Sequence, residues 1–174
     1  MDLQPSAVIN GVGHLALQQH HDGRCYFMET FRAAWLPGAT FVQGNTSKSE
    51  AGVLRGLHYH LRQEDLWFIP FGAANVTLID LRASSSTYLA VEQFELSGPS
   101  AVHIPIGVAH GFYAPVETLM SYMVSGYYDG TDELGVLWND PDLEIEWPVA
   151  APILSDRDLN APKWAEVPAE HRPA

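Results

Sequence analysis

Apolar and polar residues alternate with a period of two along much of the chain, and the alternating stretches are rich in β-branched and aromatic residues. Strands are expected over Arg24–Phe31, Thr40–Asn45, Val53–His60, Leu66–Ile69, Asn75–Leu81, Tyr88–Leu96, Ala101–Ile104, Gly111–Ala114 and Leu119–Tyr127. Glycine and proline punctuate them at Pro37-Gly38, Pro70, Gly72, Gly98-Pro99, Pro105, Gly107 and Gly130. Only Phe31–Leu36 and the segment after Asp156 read as helical, and both are short. Many short strands at this spacing predict an all-β sandwich or barrel. From Asp129 onward the chain is rich in proline and acidic residues. That composition suits loops and short helices wrapped around a barrel core at 23–128, with the last residues, Pro168–Ala174, expected to be mobile.

Length and charge narrow the picture. A chain of 174 residues makes one domain with a sizeable core. Hydrophobic residues at 47% and charged residues at 17% describe a globular protein and not a disordered one. The formal charge of −12 repels a phosphate backbone, which argues against nucleic acid as a partner. A locally basic pocket for a small anionic substrate remains compatible with it. No charged-then-apolar leader opens the sequence, and no apolar run approaches the ~20 residues of a spanning helix. A lone cysteine, Cys25, cannot form an internal disulfide. A cytoplasmic protein with no membrane partner is the expectation.

Three segments carry candidate chemistry. In Gly52–His60, a regular strand would put Leu54, Gly56, His58 and His60 on one face and Arg55, Leu57 and Tyr59 on the other, unless a bulge near Gly56 re-aims Arg55. His103–Phe112 reads as strand–turn–strand, with His110 opening the second strand. In Leu119–Asp129, Met120, Tyr122 and Val124 share a face. Two histidine strands and a tyrosine strand meeting inside one barrel would make a titratable pocket. Taken singly, a strand histidine such as His103 is more often a hydrogen-bonded or surface group, and Tyr122 alone would be core packing.

Together these segments resemble the dTDP-4-dehydrorhamnose 3,5-epimerase family from about Arg24 to Asp158. The matching runs, in order, include Phe-Met-Glu-Thr-Phe (27–31), Phe-Val-Gln-Gly-Asn-Thr-Ser-Lys-Ser (41–49) and Gly-Val-Leu-Arg-Gly-Leu-His-Tyr (52–59). Ile-Pro-Ile-Gly-Val-Ala-His-Gly-Phe (104–112), Tyr127-Tyr-Asp, Trp138-Asn-Asp-Pro-Asp and Ile153-Leu-Ser-Asp-Arg-Asp follow. The resemblance implies a cupin-type jelly-roll barrel, a homodimer with exchanged N-terminal strands, no cofactor, and a dTDP-linked sugar as substrate. It implies His58 as the catalytic base, Asp158 as the carboxylate that orients it, and Tyr122 as the acid on the opposite face of the sugar. Arg55 and His110 would sit near the sugar and pyrophosphate, with His60 beside them in the substrate pocket. Arg24, Phe27, Glu29, Gln43, Asn45 and Tyr128 fall where the family holds the nucleotide.

The chemistry asks for such a set. A proton next to a ketone is only weakly acidic, so the enolate must be stabilised as it forms. A histidine can take the proton, a carboxylate can stabilise the imidazolium, and inversion needs an acid on the far face. Here the sequence departs from the family. A lysine that helps hold the enolate oxygen is replaced by Asp65, an aspartate by Val76, and a glutamine by His60. An anion cannot stabilise an oxyanion, so Asp65 is expected either to point away or to serve another purpose. The resemblance implies epimerisation at C3 and/or C5, and these departures lead to an expectation of altered specificity: epimerisation at one centre only, a different reaction that begins with the same proton abstraction, or loss of activity. The gain of His60 also opens a rival reading, a metal-dependent cupin with His58, His60, Glu64 and His110 as ligands. A third is a cupin that binds a sugar nucleotide without turning it over.

Overall fold

The computed structural model describes residues 3–174. Its strands are β1 (Gln4–Pro5), β2 (Gly13–Ala16), β3 (Gln19–Asp22), β4 (Cys25–Met28), β5 (Gln43–Ser49), β6 (Leu54–Tyr59) and β7 (Asp65–Phe71). There follow β8 (Ala73–Asp80), β9 (Val91–Ser97), β10 (Ser100–Ile104), β11 (Val108–Tyr113), β12 (Thr118–Val124) and β13 (Leu134–Gly135). The one described α-helix, α1 (Asp156–Leu159), is a single turn, and Ala33–Trp35 is a 3-10 turn. The expected helix at Phe31–Leu36 shrinks to that turn.

Six strands form one sheet in the order β1-β2-β10-β7-β12-β5, and five form a second in the order β13-β6-β11-β8-β9. Neighbouring strands pair antiparallel throughout, and the two sheets enclose a jelly-roll interior. The period-two alternation explains how the layers form. Trp67 and Ile69 from β7, Val76 and Leu78 from β8, Val102 and Ile104 from β10, and Phe112 from β11 meet between the sheets. Val76 is thus core packing where the family carries an acid.

The outer faces are covered as well. Behind the five-stranded sheet, Leu57, Tyr59, Ile79 and Ala109 pack against Val136, Leu143, Trp164 and Val167 of the C-terminal wrap. Behind the six-stranded sheet, Leu15, Leu66 and Ala101 pack against Trp35 and Leu36. Residues 4–16, outside the expected barrel core, extend the larger sheet through β1 and β2. The tail at Pro168–Ala174 is docked, contrary to its expected mobility. Tyr59 donates its hydroxyl to the His171 carbonyl at 3.0 Å, and Arg172 lies 5.0 Å from the Trp164 ring while donating to three carbonyls. An acidic, proline-rich composition concealed those backbone acceptors.

The decisive local feature is a bulge. β6 and β11 pair His110 with His58 and Phe112 with Arg55, so two residues of β6, Gly56 and Leu57, oppose Gly111 alone. Gly56 has φ of +121°, and a Cβ there would lie 2.7 Å from the Gly111 Cα. Only glycine allows the two backbones to approach this closely. The bulge turns Arg55 to the same cavity as His58, the exception the sequence reading allowed for.

Candidate active site

A cavity of about 340 Å³ opens between the two sheets, within the range of small-molecule sites. His58 and His60 enter from β6 and the following turn, His110 from β11, Asp65 and Trp67 from β7, and Tyr122 from β12. Gln43, Asn45, Arg55 and Tyr128 stand at its rim. His58 belongs to the five-stranded sheet and Tyr122 to the six-stranded one, so a ligand between them is flanked on opposite faces.

His58 Nε2 lies 2.7 Å from Asp158 Oδ1. The sequence separation of 100 residues is closed by α1, whose N-cap Ser155 accepts from the Asp158 backbone N–H at 3.1 Å. Asp158 is buried while His58 is one-quarter exposed. Burial raises the Asp158 carboxyl, but hydrogen bonds from His58, Ser155 and the Gly56 backbone outweigh it and hold the group below its ordinary value. An ionised Asp158 accepts from His58 Nε2–H, which leaves Nδ1 as the atom free to take a proton. Burial, reinforced by Asp65 and Glu133, raises the Tyr122 phenol. Tyr122 is therefore protonated at neutral pH, as a proton donor must be.

Deeper in the cavity, His60 Nδ1 donates to the Asp132 carbonyl at 2.8 Å, and His110 Nδ1 donates to the Val108 carbonyl at 3.1 Å. The two rings lie 5.3 Å apart. Burial, and then the neighbouring His60 and His58, hold His110 well below the usual histidine value, so it stays neutral. Asp65 points inward and is 3% exposed. Its Oδ1 accepts from Gln63 Nε2 at 3.0 Å and its Oδ2 from Trp67 Nε1 at 2.9 Å. Burial pushes its carboxyl up, opposed by His60, Trp67 and Gln63.

Arg55 is held by Ser49 Oγ at 2.9 Å and the Lys48 carbonyl at 3.0 Å, which fixes the guanidinium at the cavity mouth. Gln43 donates to Asn45 Oδ1 at 2.8 Å and accepts from the Tyr128 backbone N–H at 3.3 Å. Three of the named residues stand apart in the single chain. Arg24 pairs with Asp22, and Phe27 is 64% exposed on the β3–β4 hairpin, while Glu29 pairs with Arg32 just beyond it.

The ligand set His58, His60, Glu64 and His110 does not converge. Glu64 turns to the outer face of the six-stranded sheet, where its Oε2 meets His103 Nε2 at 3.0 Å, and His58 Nε2 is engaged by Asp158. The reason is strand parity: Glu64 precedes Asp65, and consecutive side chains face opposite ways. Sequence reasoning missed Gln63, Trp67, Asp132 and Glu133 near the cavity. The run Gln63-x-Asp65-x-Trp67, with its spacing of two, is the signal that could have found the first two.

Residues 6–166 match the family model described as dTDP-4-dehydrorhamnose 3,5-epimerase. A dTDP-4-dehydrorhamnose 3,5-epimerase from Shigella flexneri is 38% identical over 156 residues, covering 83% of this chain and 86% of the relative. One from Neisseria gonorrhoeae is 39% identical over 155 residues, covering 83% of this chain; the match spans about half of that longer relative, 47%. Among solved structures, NovW, a 4-keto-6-deoxy sugar epimerase from the novobiocin biosynthetic gene cluster of Streptomyces spheroides, superposes with a TM-score of 0.92. That pair is 33% identical, with 99% of this chain and 92% of that one covered. With the jelly roll, the His58–Asp158 pair and Tyr122 facing it across the cavity, the chain belongs to the dTDP-4-dehydrorhamnose 3,5-epimerase family.

Proposed function

We propose that the protein epimerises a dTDP-linked 4-keto-6-deoxyhexose in deoxysugar biosynthesis, with His58 as base and Tyr122 as acid. The supporting observation is the placement of His58 and Tyr122 on facing sheets of one cavity. His58 Nδ1 takes the proton α to the C4 ketone, and the bond electrons pass to the ketone oxygen. Asp158 stabilises the imidazolium and fixes its orientation. Tyr122 returns a proton to the carbon from the opposite side, which inverts the centre, and solvent restores both groups.

Arg55 lies at the mouth, where a guanidinium suits a pyrophosphate. Gln43, Asn45 and Tyr128 would hold the nucleotide along the rim. Arg24, Phe27 and Glu29 join them only if the exposed β3–β4 hairpin and the residues after it reach the cavity of a second copy, so we infer a homodimer with exchanged N-terminal strands. No described helix is long and apolar enough to cross a membrane, and a free, exposed Cys25 suits a reducing cytoplasm. With Asp65 where a lysine is usual, one centre is epimerised, C3 or C5.

Tyr122→Phe tests the division of labour. The variant keeps exchanging the substrate proton on the His58 face while inversion falls by at least about a hundredfold. Loss of exchange and inversion together would contradict these roles. A sugar-nucleotide binder without turnover would show no exchange even in the wild type.

A further inference from the structure

We propose that His60, Asp65 and His110 form a binding site for one divalent first-row transition-metal ion, placed in the cavity beside His58 and Tyr122. One ligand atom from each of the three residues lies within 4.8 Å of the others, and all three residues are buried. The donor set is two imidazoles and one carboxylate, a combination that divalent iron, manganese, cobalt and zinc accept with coordination positions to spare.

The surroundings prepare the imidazoles for this. His60 Nδ1 donates to the Asp132 carbonyl and His110 Nδ1 to the Val108 carbonyl. Both bonds fix the tautomer that offers Nε2 as a lone pair toward the cavity. A carbonyl behind each ring is the outer partner that metal-binding histidines use. Asp132 is itself locked, since its carboxylate accepts from the backbone N–H groups of Leu61 and Arg62 at 2.9 and 3.1 Å.

The basic group nearest to Asp65 is His60 itself, whose Nε2 lies 4.0 Å from Asp65 Oδ1. Asp65 lies in the interior, and Arg55, held at the cavity mouth by Ser49 and Lys48, makes no ion pair with it. The Gln63 amide nitrogen donates to both His60 Nε2, at 3.2 Å, and Asp65 Oδ1, at 3.0 Å, so these two lone pairs already converge on one electropositive group. The ion would displace that amide. Trp67, by donating to Asp65 Oδ2, leaves Oδ1 as the coordinating oxygen.

The set differs from the four-ligand pattern legible in the sequence, because Asp65 and not Glu64 supplies the carboxylate and His58 stays free as the base. Its role in turnover rests on the epimerase reading: a bound cation supplies there the positive charge that Asp65 removed when it took the place of a lysine. The remaining residues keep their tasks, with His58 moving the proton and Tyr122 returning it.

The test is a Co2+ titration of the full-length protein after chelation and removal of chelator, followed by visible absorption and metal analysis. One equivalent of Co2+ with ligand-field bands is expected. Asp65→Asn, nearly isosteric, and His110→Gln should each weaken binding by about a hundredfold or more. Glu64→Gln and His58→Asn should leave it unchanged. Absence of a one-equivalent site in the folded wild type, or its loss in Glu64→Gln, overturns the proposal. Proton exchange at C3 and C5 of the substrate, followed in the same samples, separates the two readings. Co2+ bound without exchange retains the site and removes the epimerase function, whereas full exchange in metal-free protein that binds no Co2+ does the reverse.

Discussion

Replacing Asp158 by asparagine keeps the size of the side chain and removes its charge at the moment His58 becomes an imidazolium. The two groups are 2.7 Å apart at their nearest atoms, and Asp158 is 4% exposed. Unit charges about 4 Å apart in an effective dielectric near 20 attract by about 4 kcal/mol, which is about a thousandfold in rate. His58 is 25% exposed, so solvent relieves part of this, and a fall of about 100- to 1000-fold in kcat is expected with KM little changed. The assay is the initial rate of substrate proton exchange in D2O, with a thermal melt beside it. Burial raises the Asp158 carboxyl and its hydrogen bonds lower it further than burial raises it, so the fold favours the ionised form. Its stabilising contribution is present above the ordinary carboxylate value of 3.8 and is lost as pH falls below it. Asp158→Asn should therefore melt lower than wild type at neutral pH and approach it near pH 3. A variant with kcat within about threefold of wild type would refute the role assigned to Asp158.

Three further outcomes are expected. Asp80 is buried, yet hydrogen bonds from Arg82, Ser85 and Thr87 outweigh that burial and hold it at about 2. Its contribution, about 1–2 kcal/mol after screening at Arg82, is present above 3.8 and lost as pH falls toward 2, so acid unfolding of Asp80→Asn should be less steep over that window. In Gly56→Ala the new Cβ would meet the Gly111 Cα at 2.7 Å. A loss of about 3 kcal/mol, or roughly 6–12 °C in Tm by circular dichroism, is expected, and an unchanged melt would mean the bulge is not needed. Mixing inactive His58→Asn with Arg24→Ala under subunit exchange should restore roughly a quarter of wild-type activity, since one site of each mixed dimer is intact when hairpins are exchanged. No recovery would mean that each chain completes its own site.

The parts of the fold legible in the sequence are the strands that bury at least one apolar face. β12 alternates as expected, with Met120 and Tyr122 toward the jelly-roll interior, whereas β8 and β10 are apolar on both faces, Val76 and Val102 packing inward and Ile79 and Ala101 under the outer covers. β5 was displaced to Thr40–Asn45 because its true residues, Gln43–Ser49, are almost wholly polar. Gln43, Asn45 and Ser47 line the cavity, Ser49 is buried against Arg55, and Gly44, Thr46 and Lys48 meet solvent, so function has erased the apolar signal. The β3–β4 hairpin escaped division for a related reason: both strands are largely exposed, and Gln-His-His-Asp carries no alternation at all. β2 was missed because Leu15 is its only large apolar residue.

Within the site, strand parity gave His58 and His60 a shared side, and Met120, Tyr122 and Val124 another. What parity could not supply was the partner of each group. Asp65 stands out in the sequence, and its donors Gln63 and Trp67 flank it at a spacing of two, but its neighbour His110 comes from β11, 45 residues on, where no local pattern announces the contact. The destination of Glu64 depended on where β7 begins, and one residue decides which side of the sheet it faces.

The most direct test of proton abstraction beside the ketone is proton NMR of dTDP-4-keto-6-deoxyglucose with the protein in D2O, following C3 and C5 separately. Deuterium should enter at one of the two positions, and the exchange should vanish in His58→Asn. Wild-type protein that leaves both positions fully protonated would contradict the account.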